Sequence, residues 1–366
     1  MPEDGGAWAA GLLVNEAWAA HREGRYQHAA AAAARAVSAG EQLDDPVLLV
    51  RALEAEAAAL RLTGDYTAAL ARYTRLLGLA EDPATASRLD HPSAARAVAD
   101  AHWEWVVCAR FLTGIPVREL FGVLDAADRW LVATGHSDWR AAILSERASI
   151  YQSLGETDAA IAAAQEALAL AVQHPDAPGY TLGAYRFLLG YVLRAAGRAA
   201  EAGPHYQAIL DDPAASPAAT RAAHEGLAWC ALASGDIAAG RREARRAVSL
   251  AEPLGDDALC TSLEVLTAAC REDGDLEAAW QAATRHLEAA GRIGGHHRPY
   301  YAARRAVDVA LDRADRAAAS RLLGELDEHA AALDATTGTT ARTTETAQRH
   351  QRLAGLAAPD PQQAET

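Results

Sequence analysis

"GDYTAALARYTRLLGLA", residues 64–80, carries a turn and the start of a helix in one phrase. Gly64 is suited to end a helix, Asp65 to cap the next one, and Ala69 and Tyr73 fall on one face of it. Nearly the same phrase returns as "GETDAAIAAAQEALALA" from 155, "GDIAAGRREARRAVSLA" from 235 and "GDLEAAWQAATRHLEAA" from 274. With the turn glycine as register mark, the positions are Gly24, Gly64, Gly114, Gly155, Gly197, Gly235 and Gly274, with a degenerate turn at Ala314. The intervals are 40, 50, 41, 42, 38, 39 and 40 residues. A run with helical apolar spacing lies on each side of every mark. The unit is therefore a helix–turn–helix of about 40 residues repeated about eight times, the signature of a solenoid in which each hairpin buries its apolar face against its neighbours.

Composition agrees. The chain has 366 residues, a 51% hydrophobic fraction rich in alanine and only 6% aromatics, which favours helix over sheet. A net charge of −15 argues against non-specific binding to nucleic acid or to an anionic membrane. All 34 basic residues are arginine. A GC-rich genome accounts for that bias, and the absence of lysine excludes Schiff-base chemistry and a P-loop ATPase. Cys108, Cys230, Cys260 and Cys270 are widely spaced and read as small core residues in a reducing compartment. The first residues carry acids where a secretory signal carries bases, and no window is apolar enough to span a membrane, so a soluble cytoplasmic protein is expected.

The residues around the marks resemble the tetratricopeptide repeat. "YRFLLGYVLRAAGRAAEAGPHYQAIL" carries Leu189-Gly190 on the first helix (A) and Ala202 and Tyr206 on the second (B); Trp103 takes the Trp position of the third repeat. Gly190, Ala148, Ala228 and Ala57 occupy the point where A and B cross, and a larger side chain there would force the helices apart. The period exceeds the standard 34 residues, which resembles the longer repeats of bacterial transcriptional activators, regulatory ATPases and the kinesin light chain. The resemblance implies an all-α, right-handed superhelical solenoid over residues 1–334. The Thr/Pro-rich segment 335–366 reads as a disordered tail with a capping helix over 343–356. The 80–97 segment reads as a long loop, and "GRIGGHHRPYY", 291–301, as a second break.

Motifs for catalysis are absent, so no catalytic residue, metal ligand or cofactor is assigned. His296 and His297 lack carboxylates at chelating spacing and read as a polar loop. His102 and Glu104, two apart on a helix, do not face each other, and His102 reads as a surface or groove histidine. "GRREARRAV", 240–248, reads as a solvated outer face.

In tetratricopeptide solenoids fixed A-helix positions line a groove. By that resemblance the groove residues are Trp18, His21, Arg22, Arg51, Glu54, Arg61, Glu104, Phe111 and Gln152, then Phe187, Tyr191, Arg194, Glu225, Trp229, Glu264, Arg271, Tyr301 and Arg304. Large aromatics mixed with arginines are the composition of a protein-holding surface. The leading expectation is a non-enzymatic module that holds a peptide or protein segment, acidic or C-terminal, with Trp18, Phe187, Tyr191 and Trp229 as anchors. A sensor whose superhelix responds to a small molecule or peptide is the second reading, and an enzyme with a groove site the third. A homodimer stays open.

Overall fold

The computed structural model describes residues 4–23, 25–89, 91–111, 116–177, 180–337 and 340–356. These form eighteen α-helices, three short 3-10 segments and no strand, in two compact units, Met1–Leu182 and Gly183–Thr366. Unit 1 holds α1 (Asp4–Arg22), α2 (Tyr26–Gln42), α3 (Pro46–Leu62), α4 (Tyr66–Glu81), the single turn α5 (Pro83–Ala86), α6 (Pro92–Phe111), α7 (Leu120–Ala133), α8 (Ala141–Leu154) and α9 (Thr157–Gln173). Unit 2 is built from α10 (Leu182–Ala195), α11 (Ala199–Leu210), α12 (Pro217–Ala233), α13 (Ile237–Ala251), α14 (Asp256–Glu272), α15 (Leu276–Ile293), α16 (His297–Asp312), α17 (Arg316–Thr337) and α18 (Ala341–Gly355). Apart from α5 and α18 the helices pair into hairpins, and the all-α repeat solenoid expected from the spacing is what the chain forms.

The recurring Gly-Asp phrase has a local cause. Gly64, Gly155, Gly197, Gly235 and Gly274 adopt φ between 74 and 85°, the left-handed conformation that ends an A helix and that glycine adopts without a Cβ penalty. The following aspartate caps the B helix: Asp65, Asp236 and Asp275 each accept the backbone N–H three residues on, at 3.0 Å. Ala314 takes the same conformation, φ 55°, and Asp315 caps α17 in the same way. Gly24 and Gly114 lie outside the described residues.

Within each hairpin the close approach is made by small residues. Ala57, Ala148 and Ala228 are fully buried. In unit 2 the Tyr206 ring, 1% exposed, lies between two glycines. A Cβ on Gly190 would sit 2.8 Å from Tyr206 Cζ, and one on Gly226 would sit 2.3 Å from Cε1. Glycine is required at both by proximity and not by backbone angle.

The 80–97 segment departs from the expected loop. Asp82 caps α5, and Pro92 already opens α6, so only a few residues between them are non-helical. The 291–301 break narrows similarly to Gly294 and Gly295, both at positive φ, before His297 opens α16. α17 continues to Thr337, and α18 packs on α16 and α17. The four cysteines are buried and free. Among the described residues no helix is long and apolar enough to cross a membrane.

Candidate functional site

Alternate helices carry a ladder of ion pairs. In unit 2, α12, α14, α16 and α18 contact one another in sequence, and each contact is bridged by charge. Glu225 of α12 pairs with Arg221 and accepts hydrogen bonds from Thr261 and Ser262 of α14. Glu264 of α14 holds Arg304 and Arg305 of α16 at 2.9 and 3.0 Å. Asp308 of α16 accepts from Arg349 of α18 at 2.9 and 3.0 Å, and Glu345 of α18 accepts from the Tyr300 hydroxyl at 3.0 Å. Arg271 and Arg352 converge on Asp312. Paired this way, each of these guanidinium groups has its charge offset by a hydrogen-bonded carboxylate.

Arg194 breaks the pattern. It is half-buried on α10, yet no carboxylate lies within ion-pairing distance among the described residues, and its Nε is buried without an acceptor. Its guanidinium is 5.4 Å from the Tyr191 ring centroid and 5.5 Å from that of Trp229, and it lies beside the Tyr206 hydroxyl. Arg305 approaches Trp229 too, at 5.3 Å. Cation–π contact and the Tyr206 hydroxyl replace the missing anion in part but leave the in-plane Nε–H without an acceptor. Tyr191 is 38% exposed, whereas Trp229 is half-buried against Ala228 and its neighbours. The structure thus brings together Tyr191, Arg194 and Trp229 from the expected set. Arg304 covers Tyr301 at 5.0 Å, and Arg271 is occupied by Asp312.

Other expected residues are engaged internally. Phe187 packs edge-on against Tyr206, centroids 5.9 Å apart, so its ring serves the A–B contact. Glu225 is 8% exposed and its hydrogen bonds are used within the chain. The residues missed from sequence are Arg305, Asp308, Glu345 and Arg349. The tandem Arg304-Arg305 and the acids and bases one repeat length away, 41 residues in several pairs, were the available signal.

Unit 1 carries its own ladder on α3, α6 and α8. Arg61 pairs with Glu104 at 2.7 Å, and Arg110 with Glu146 at 3.0 Å. Trp18 and His21 are half-buried with ring centroids 5.2 Å apart, Arg22 is exposed, and Arg51 and Gln152 are half-buried. The side chain of Phe111 lies outside the described residues. His102 is not a surface or groove residue. It is 5% exposed, because α3, α4, α7 and α8 enclose α6, and burial pushes its pKa down to about 4. His296 lies 3.0 Å from His329 through their Nδ1 atoms, and no group of metal-ligating side chains exists among the described residues. On α13, Arg241 pairs with Asp273 and Asp275, while Arg242 and Arg246 pair with Glu243.

Glu54 of α3 and Asp100 of α6 form a hydrogen-bonded carboxyl pair, with Arg51, Arg96 and Glu104 nearby. Burial raises both, Asp100 to about 7 and Glu54 well above the ordinary carboxylate range. A carboxyl with a raised folded-state pKa contributes stability that is full below its unfolded pKa and is lost as pH rises through the folded value. His102, lowered, acts oppositely and only as pH falls below about 6.5. The melting temperature should therefore fall from pH 6.5 to pH 8, and Asp100→Asn should flatten that slope in calorimetry. An unchanged slope in the variant would show that the pair does not share a proton.

No protein-family model matches the chain, and no curated protein sequence matches it. Solved structures do. A tetratricopeptide repeat protein from Parabacteroides merdae superposes with a TM-score of 0.51 at 15% identity, covering 84% of this chain and 99% of that one. A Rap protein complexed with competence and sporulation factor gives 0.56 at 14% identity, over 95% and 99% of the two chains. The apo form of the quorum sensor NprR from B. thuringiensis gives 0.54 at 13% identity, over 94% and 97%. At these identities the likeness is one of fold, and the fold of this chain is the tetratricopeptide-like α-solenoid.

Proposed function

We propose that this protein is a non-enzymatic peptide-binding module, and that the α10–α12 wall of unit 2 holds a segment with a carboxylate at Arg194. The observation that carries this reading is the half-buried Arg194 between Tyr191 and Trp229, with no carboxylate of its own. An aspartate or glutamate side chain, or a free C-terminus, would satisfy its in-plane donors, and an apolar residue of the same segment would cover exposed Tyr191. Of the proteins with this fold, one is described in complex with competence and sporulation factor and another as a quorum sensor, which supports a ligand-binding module with a regulatory outcome. In that second form of the reading, the bound peptide alters how the module engages a partner protein.

A phage-displayed peptide library panned on the intact protein tests the proposal. Selected peptides should contain an acidic residue or depend on a free C-terminus. Their affinity, read by fluorescence anisotropy, should fall about 30-fold or more in Arg194→Gln and in Tyr191→Ala, the loss typical of an anchor. Both residues contribute little to the core, so the melting temperatures should stay near that of the wild type. Peptides that bind both variants as tightly as the wild type would place binding elsewhere and overturn the reading.

A further inference from the structure

The interval between the second and third turn marks is 50 residues instead of about 40, and the excess folds into α5 and the approach to α6. With the C-terminal end of α7, this segment walls a cavity of about 370 Å3. Leu89, Ala95 and Val98 line one part, and Trp130, Thr134 and His136 another. Leu89 and Val98 are 8% and 1% exposed, so this part of the lining is fixed by the core beneath it. None of the lining residues is an acid, an arginine or a lysine. Such a volume lies at the lower end of small-molecule sites, roughly 300–1,000 Å3, which are mostly apolar with a few polar groups.

His136 and Thr134 supply the polar groups of the lining, and His102 stands next to the lining residue Trp130. His136 lies flat on Trp139, centroids 3.9 Å apart and planes 14° from parallel. Its ring nitrogens make no hydrogen bond among the described residues. His102 follows Ala95 and Val98 on the same face of α6, and its ring is 5.9 Å from that of Trp130. Its Nδ1 is buried with no partner. An orphaned buried polar atom costs about 1–3 kcal/mol and calls for a ligand or ordered water to satisfy it.

We infer that this cavity binds a small uncharged molecule with a flat aromatic or alicyclic body and one hydroxyl or carbonyl group. The body lies against Trp130, Leu89 and Val98, and the polar group meets His136 or Thr134. A formal charge is disfavoured, because it would be desolvated against Leu89 and Val98 with no counter-ion in the lining. All the residues belong to unit 1, so the inference does not rest on the peptide reading of unit 2.

Calorimetric titration of the whole chain with 2-naphthol, and with 2-naphthalenesulfonate as its charged counterpart, tests this. 2-Naphthol should bind saturably at one site and raise the melting temperature, and the sulfonate should bind at least tenfold more weakly. Ala86→Trp, which fills the cavity from an exposed lining position, should melt like the wild type and lose 2-naphthol at least tenfold. The double variant His136→Phe with Thr134→Val should bind 2-naphthol no better than naphthalene. Absence of saturable binding, equal affinity in Ala86→Trp, or equal affinity for the sulfonate would each overturn the inference. Displacement of 2-naphthol by peptides selected on the intact protein would instead make the cavity a side-chain pocket for a peptide, and would also overturn it.

Discussion

Gly226→Ala is expected to destabilise unit 2 by about 1–3 kcal/mol, and Gly226→Leu by more, through overpacking. The sign is informative because alanine in a helix interior is ordinarily about 1 kcal/mol better than glycine. Here the new Cβ would meet Tyr206 Cε1 at 2.3 Å and Cζ at 2.4 Å, far inside contact distance. Gly190→Leu should act alike from the other side of the ring, where Cζ would lie at 2.8 Å. Urea unfolding reads the loss. Tyr206→Leu removes the obstacle, so the double variant Gly226→Ala with Tyr206→Leu should lose less than the sum of the two singles, by about 1 kcal/mol or more. Additive losses would show that the ring moves aside freely. A stabilised Gly226→Ala protein would show that α11 and α12 are not in contact through Tyr206.

The second large effect is expected at Asp308. It is 5% exposed and accepts two hydrogen bonds from Arg349 and one, at 3.3 Å, from Arg352. Asp308→Ala leaves Arg349, whose side chain is 11% exposed, without its main counter-charge. Removing one member of such a buried pair typically costs about 3–5 kcal/mol. The cost should fall on the docking of α18. Hydrogen exchange should therefore accelerate in Ala341–Gly355 while α12 to α15 keep their protection. Unchanged protection of α18 in Asp308→Ala would mean that apolar contacts alone hold the helix.

Much of the fold was legible because its signals are local. A glycine at positive φ followed by a capping aspartate is set by the two residues themselves, so Gly64-Asp65, Gly235-Asp236 and Gly274-Asp275 announce their turns. Ala314 is legible only through spacing, since alanine has no preference for the conformation it adopts there. α5 and the early start of α6 were read as loop because proline and polar residues dominate the segment. Pro83 and Pro92 instead stand at first-turn positions, where proline fits a helix. α18 has little apolar periodicity, and its charged side chains find partners on α16 only in three dimensions.

The site was legible to the extent that helical register governs it. Tyr191 and Arg194 are three residues apart and Trp229 lies one repeat on, so their meeting follows from the period. Arg305 escaped because fixed groove positions admit one residue of the pair Arg304-Arg305. His102 was misplaced because burial on all sides of α6 depends on helices distant in sequence. That Arg194 faces two aromatic rings with no carboxylate in ion-pairing distance among the described residues is a fact about its neighbours, which no single position encodes.

The ladder between alternate helices has a consequence for assembly of the chain. Modules this alike in outline invite errors, since one hairpin can stack on the wrong neighbour during folding. Among the described residues Glu264 pairs with arginines of α16, and Asp308 with Arg349 and Arg352 of α18. A hairpin stacked out of order would bring guanidinium against guanidinium, or leave acids facing alanine. The charges thereby act as addresses, and repeats of this chain should not be interchangeable even where their apolar faces are.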